Sequence, residues 1–266
     1  MINIAVCGAA GRMGQRIIIA AVEAGCTISG ALERPGHPQI GQDAGLIAGC
    51  GPLGVAISDD LNAVVAGCDV LIDFTVPKVS LKNLEVCGLK GKPIVIGSTG
   101  FTPEDRVLAA ELAKDIPAVL APNMSVGVNV CFKMLKEIAK ILGDDFDVEI
   151  VELHHNKKKD APSGTAVRMG EVVAEALGRD YSQVATYHRE GICGERPKEE
   201  IGMQTVRGGD IVGEHTVYFI GQGERIELSH RAMTRDMFSR GSVRAAKWIV
   251  GKAPGLYDMQ DVLGLR

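Results

Sequence analysis

Hydrophobic positions fall into two regimes along the chain. In the first, short unbroken apolar runs alternate with stretches at helical spacing. Ile2-Asn3-Ile4-Ala5-Val6-Cys7 is one such run; a glycine turn follows, and then Ile17, Ile18, Ala21 and Val22 share one helical face. Further runs stand at residues 27–32, 69–74, 93–96 and 118–121, with helices expected over 80–89 and from Pro103. Strands apolar on both faces that alternate with helices predict an α/β fold, a doubly wound parallel sheet of Rossmann type. Residues 36–54, rich in glycine and proline, read as a long loop.

The second regime begins near residue 130. Residues 130–142 form an amphipathic helical pattern, and 146–151 alternate apolar and acidic side chains like a half-buried strand. Ala166, Met169, Val173 and Leu177 return to helical spacing. Residues 179–202 read as loop-rich. Alternating runs at 213–220 and 225–229, joined by Gly221-Gln222-Gly223, predict a hairpin, and 244–250 is helical again. The expected division is a dinucleotide-binding domain over residues 1–125 and a second α+β domain, carrying a mixed sheet, over 126–234. Helices of residues 235–266 are expected to return to the first domain.

The composition narrows the function. With 46% hydrophobic and 23% charged residues, the chain is an ordinary globular protein with a full core. Aromatic residues are only 4% and the net charge is −4, which argues against nucleic acid as a partner. The seven cysteines are odd in number and none is spaced C-x-x-C, so neither a disulfide framework nor a metal site is expected. No apolar run approaches about 18 residues, and no signal core follows the N-terminus, so no membrane partner is expected and a reducing cytoplasm is.

Gly8-Ala9-Ala10-Gly11-Arg12-Met13-Gly14 lies between the first strand and the first helix, the context a dinucleotide fingerprint requires. Its glycines permit a tight turn and close backbone approach to a pyrophosphate, whose charge a helix N-terminus favours. The spacing is G-x-x-G-x-x-G, and an ordinary glycine-rich strand–helix turn is the alternative. Glu33, 19 positions after Gly14, stands where a carboxylate meets ribose hydroxyls, and Arg34 beside it suits a 2′-phosphate. Small polar loops close later strands, Gly97-Ser98-Thr99-Gly100 and Pro122-Asn123-Met124-Ser125. Ligands of open α/β sheets bind beyond the strands' carboxyl ends.

The most chemically loaded stretch is residues 152–166, ELHHNKKKDAPSGTA. A strand delivers His154 and His155 to a loop, which ends at a helix N-terminus over Ser163-Gly164-Thr165. The free N–H groups there make an anion site. A histidine donates protons near neutral pH, and Lys158, four residues past His154, adds a cation or a second acid. A solvated lysine run beside a capped helix is the alternative.

Almost end to end, these motifs resemble the 4-hydroxy-tetrahydrodipicolinate reductase (dihydrodipicolinate reductase) family of diaminopimelate and lysine biosynthesis. The resemblance covers residues 8–14, Glu33-Arg34, 97–100, 121–129, 152–165 and 206–216. It implies an oxidoreductase using NADH or NADPH to reduce a cyclic conjugated imine with two carboxylates, formed by loss of water from its 4-hydroxy precursor. By the resemblance His154 is the proton donor and Lys158 its catalytic partner. His155, Ser163, Gly164, Thr165 and Arg235 hold the dicarboxylate. The resemblance likewise implies that the cofactor is held by Gly8, Ala9, Ala10, Gly11, Arg12, Met13, Glu33, Arg34, Gly97, Ser98, Thr99, Ala121, Pro122, Asn123 and Met124. The family is usually a homotetramer assembled through the second domain's sheet. Two features blur the pattern: Lys157 and Lys159 flank Lys158, and Pro122 removes a backbone donor from a cofactor loop. Two other readings share parts of this plan. A dehydrogenase of a different amino or hydroxy acid needs no such His-His-lysine turn, and a dinucleotide sensor needs a basic DNA-reading module that the chain lacks.

Overall fold

The computed structural model describes residues 1–266. In chain order the first elements are β1 (Asn3–Cys7), α1 (Arg12–Glu23), β2 (Thr27–Leu32), α2 (Ala44–Ala48), β3 (Ile57–Ser58) and α3 (Leu61–Ala66). Next come β4 (Val70–Asp73), α4 (Pro77–Leu89), β5 (Ile94–Ile96), α5 (Pro103–Leu112), β6 (Pro117–Leu120) and α6 (Val126–Leu142). After these lie β7 (Asp147–His154), α7 (Gly164–Ala176), α8 (Tyr181–Val184), β8 (Ala185–Thr186), β9 (Ile201–Arg207), β10 (Gly213–Ile220) and β11 (Arg225–Ala232). The chain closes with α9 (Asp236–Ile249), β12 (Gly255–Tyr257) and α10 (Met259–Leu263). It forms two compact units, one of Met1–Val126 with Asp236–Arg266, the other of Gly127–Arg235.

The first unit is built on a seven-stranded parallel sheet in the order β12-β6-β5-β4-β1-β2-β3. Successive strand residues point to opposite faces, so each strand feeds two cores. Ile4, Val6, Ile72, Val95 and Val119 pack with Ile17, Ile18, Val243 and Ile249 of α1 and α9. Ala5, Cys7, Leu71, Ile94 and Ile96 pack with Val64, Leu84, Cys87 and Ala109 of α3, α4 and α5. Both faces are therefore covered, which is why the strands read as unbroken apolar runs. Strand order reverses at β1, between β2 and β4, and this places a ligand crevice at the carboxyl ends there.

Three sequence expectations change in this unit. Residues 36–54 are not all loop, because the Asp43 carboxylate accepts from the N–H groups of Gly45, Leu46, Leu53 and Gly54 and so caps α2 and closes the turn. The C-terminal segment adds a strand as well as helices, since β12 pairs beside β6. Helix α9 starts at Asp236, well before residue 244.

The second unit carries a mixed sheet, β11-β10-β7-β9-β8, antiparallel across β11-β10-β7 and parallel across β7-β9-β8. Val148, Ile150, Met203, Val217 and Phe219 point to one face and bury Leu135 of α6 with Met169 and Val173 of α7. On the other face Val206 and Ile220 stay exposed. Strand β9, within and beyond the stretch that reads as loop, was not legible. Gly202 on it leaves no room for a side chain, since a Cβ would meet the Glu149 carboxylate. That carboxylate binds Arg189 and Arg196, which hold the preceding loop to the sheet. Helix α6 begins at Val126 rather than residue 130. No helix of the chain is long and apolar enough to cross a membrane.

Candidate active site

The glycine turn sits at the end of β1. Gly8 adopts φ +70°, open chiefly to glycine, and the N–H groups of Gly8 and Ala9 donate to Leu32 O at 2.9 and 3.0 Å. Gly11 caps α1. A Cβ on Gly14 would stand 2.1 Å from Gly8 O, so the helix can press on the turn only without a side chain there. Glu33, at the end of β2, accepts from the Ala10 N–H at 3.1 Å, joining the turn to the acidic residue. Arg12 and Arg34 are exposed and Met13 is half-buried. A tight, Cβ-free turn, a helix N-terminus and a carboxylate at the adjacent strand end fit a dinucleotide.

The residues named from the other loops divide by exposure. Ala9, Gly97, Ser98, Ala121 and Met124 are buried. Ser98 Oγ is engaged by Ser80 Oγ at 2.7 Å, a Cβ on Gly97 would enter the Phe74 ring, and Met124 lies in the core against Gly241 of α9. These positions shape the crevice floor through backbone. Thr99 and Pro122 are exposed, and Asn123 accepts from Ser125 N–H at 2.9 Å. Below the crevice, Asp73 accepts from Thr75 and Asn83, and Asn83 donates to Cys7 Sγ. Burial and the Asp73 carboxylate push the Cys7 thiol up, so it is an inert core residue.

In the second unit β7 ends in a cluster of polar side chains. Glu152 and His154, two apart on the strand, share a face. His154 Nδ1 lies 2.5 Å from Glu152 Oε2. Glu152 is fully buried, and it accepts from both terminal nitrogens of Arg207 at 2.8 Å, from Ser163 N–H at 3.0 Å and from Thr205 Oγ1 at 3.3 Å. Burial alone would raise its pKa. The bonds from His154, Arg207 and Ser163 outweigh burial and hold the carboxyl at about 2, so it is an anion.

Ser163 caps α7, its Oγ accepting from Ala166 N–H. The same Oγ lies 2.9 Å from Nε2 of His215, which faces Glu152 across β7 and β10. Burial and His154 push the His215 pKa down to about 4, so this imidazole is neutral. His154 and His215 meet edge to face at 5.2 Å between ring centroids. Gly164 opens α7 in an exposed position where an added Cβ would meet nothing, and Thr165 follows half-buried. His155 is half-buried, its N–H donating to Ile211 O. Lys158 Nζ binds Asp160 at 2.8 and 2.9 Å and is half-buried, whereas Lys157 and Lys159 are exposed. Arg235 is exposed at the end of this unit.

Glu152, Arg207, His215 and Gly213 were given no role on sequence grounds. The two-residue spacing of Glu152 and His154 on an alternating strand was a usable signal for the first; the others depend on strand register. Comparison with known proteins supplies the family. The family model described as dihydrodipicolinate reductase, N-terminus, matches residues 2–124, and its C-terminal counterpart matches residues 127–263. The chain belongs to the dihydrodipicolinate reductase family. It is an NAD(P)H-dependent oxidoreductase that performs this family's reductive step of diaminopimelate and lysine biosynthesis. A 4-hydroxy-tetrahydrodipicolinate reductase of Trichlorobacter lovleyi is 91% identical, and that of Geobacter metallireducens 89%, each over 100% of both chains. Among solved structures, a dipicolinate-bound dihydrodipicolinate reductase from Paenisporosarcina sp. TG-14 shares the fold, with a TM-score of 0.76, 24% identity and 98% of each chain covered.

Proposed function

We propose that the second unit of this reductase binds the dicarboxylate imine derived from 4-hydroxy-tetrahydrodipicolinate at the α7 turn and that His154 protonates it. The observation that carries this reading is that one buried carboxylate, Glu152, binds both His154 Nδ1 and Ser163 N–H, making the proton donor and the anion turn neighbours. Ser163 N–H is taken up by Glu152, so Gly164 and Thr165 at the head of α7 carry the turn's share of one carboxylate, and His155, Lys158 and Arg235 supply further donors and positive charge. A bound nicotinamide cofactor supplies the hydride. The carbon left electron-rich then takes a proton from His154, while Lys158 stabilises the anionic charge.

The first unit's turn of Gly8, Ala9, Ala10, Gly11, Arg12 and Met13, together with Gly97–Thr99 and 121–124, would hold the cofactor. Glu33 suits free ribose hydroxyls and Arg34 a 2′-phosphate, so both NADH and NADPH serve. The second unit's sheet face that carries exposed Val206 and Ile220 supports assembly as a homotetramer through that sheet. Seven free cysteines suit the reducing cytoplasm. Calorimetric titration with pyridine-2,6-dicarboxylate, a planar unreactive dicarboxylate, with and without NADH, tests the substrate site. Binding that Gly164→Val abolishes is expected; no binding in either condition removes the assignment.

A further inference from the structure

His154 has two ring nitrogens, and its surroundings treat them differently. Nδ1 faces the Glu152 carboxylate at 2.5 Å. That carboxylate is anionic, so Nδ1 carries a hydrogen whether or not the ring is charged. The proton that the ring can give away is therefore the one on Nε2. Nε2 in turn lies over Gly213: a Cβ built there would stand 2.8 Å from Nε2 and 3.3 Å from Cδ2. Gly213 is buried in β10 and has no positive φ, so no turn demands glycine. What demands it is the imidazole.

Glu152 is itself held by two groups besides His154 and the Thr205 hydroxyl. Arg207 of β9 grips both its oxygens and also donates to Asp160 O at 2.8 Å, at the loop that carries Lys158. Ser163 N–H fixes Oε1 from the head of α7. Other titratable groups around the pair are His215 of β10, with His230 of β11 beside it in register, and Lys158 and Asp160 of the loop. A carboxylate held by Arg207 keeps its place without depending on the charge of His154, and so can orient the ring in both protonation states.

We infer that Glu152, braced by Arg207, is a positioning residue for the reductase reaction, fixing His154 with Nε2 as the proton-bearing atom, and that Gly213 keeps the space Nε2 needs. The inference rests on His154 being the proton donor. In the catalytic step Nε2–H breaks, the proton passes to the electron-rich carbon, and neutral His154 remains Nδ1–H on Glu152. Nothing is oxidised or reduced in the protein.

The test is a set of variants assayed for kcat and KM, with the NADH dissociation constant and melting temperature as controls. Glu152→Gln replaces an acceptor facing Nδ1 with an amide that can turn its donor to the ring and invite the other tautomer. Its kcat is expected to fall by about 10²-fold, as when a general acid is lost. KM should change little, because the loss is confined to the proton-transfer step. In a His154→Gln background the same change should cost nothing further, since its effect passes through His154. Gly213→Ala, which keeps every charge, should also lower kcat in the His154 enzyme and not in His154→Gln, and it decides the matter if Glu152→Gln fails to fold. Equal losses in both backgrounds, or a normal kcat in Glu152→Gln and Gly213→Ala, would overturn the inference while leaving the proton donor in place. A near-normal kcat in His154→Gln alone would instead remove the donor assignment, and the positioning role with it.

Discussion

Ser163 Oγ lies 2.9 Å from His215 Nε2, and both side chains are buried. The head of α7 is thus pinned to the middle of the sheet by a neutral histidine, whose pKa burial and His154 lower to about 4. In the unfolded chain a histidine titrates near its ordinary value of about 6.5. Between about pH 6.5 and about pH 4 the unfolded chain takes up a proton that the folded chain refuses, so stability falls as pH falls, by an order of about 3 kcal/mol. Below that window His215 adds no further slope. Glu152, held at about 2, then takes over: its contribution, full above the usual carboxyl value of 4.5, is lost as pH drops toward 2. Denaturant midpoints measured across these two windows should show two successive losses. His215→Gln should flatten the first and spare the second; an unchanged slope above pH 4 in that variant would contradict the assignment.

The three consecutive lysines are unequal in the structure. Lys158 is half-buried with Nζ on Asp160, while Lys157 and Lys159 are exposed. Lys158→Met is expected to impair turnover and dicarboxylate affinity together, because the charge it supplies acts on bound substrate and transition state alike. Lys157→Met and Lys159→Met should change either by less than about 2-fold, the usual cost of a solvated charge. His154→Gln should lower kcat by about 10²–10⁴-fold with little change in KM. Steady-state kinetics on the four variants check this, and equal damage at Lys157 or Lys159 would show that spacing selects the wrong lysine.

How much of this was legible follows from what each element depends on. β1, β4 and β5 are buried on both faces, so their apolar runs announce them; β7 buries one face, so its alternation does. The head of α7 was legible because Ser163 and Gly164 carry cap chemistry in the local sequence. β9 and β12 were not, because Gly202 and Gly255 weaken any strand pattern and the pairing partners β7 and β6 supply the order. For the same reason Arg207 and His215 could not be connected to Glu152. They lie 55 and 63 positions away in sequence and are brought together by the register of β9 and β10 on β7. Residues within one turn or strand end reveal chemistry by spacing; residues joined across a sheet do not.

In the first unit, Glu33 Oε1 accepts from the Ala10 N–H, while the exposed Arg34 side chain is the adjacent cation. A carboxylate fixed on the turn favours unmodified ribose, and an exposed guanidinium can meet a 2′-phosphate without displacing it. Both cofactors should therefore be used with modest preference. Arg34→Ala is expected to raise the KM for NADPH far more than that for NADH. Equal changes for the two would show that Arg34 does not read the phosphate.

Two glycines, finally, should behave oppositely when given a side chain. Gly14 is buried in α1, and a Cβ there would stand 2.1 Å from Gly8 O and 2.7 Å from Ala9 Cα, both backbone atoms that cannot step aside. Gly14→Ala should destabilise the first unit by about 1–3 kcal/mol and weaken NADH binding, the result of forcing atoms into a full space. Gly164 is exposed, and a Cβ there meets no protein atom within 4 Å. Its glycine is not needed by the fold, and at the first position of α7 a side chain costs the helix nothing. Gly164→Val should therefore melt within a few degrees of the natural chain and bind NADH normally, yet lose pyridine-2,6-dicarboxylate, because the added branches occupy the space above the N–H groups. Calorimetry and thermal melting on the two variants separate the cases. Undiminished dicarboxylate affinity in Gly164→Val would mean that the anion does not sit on this turn.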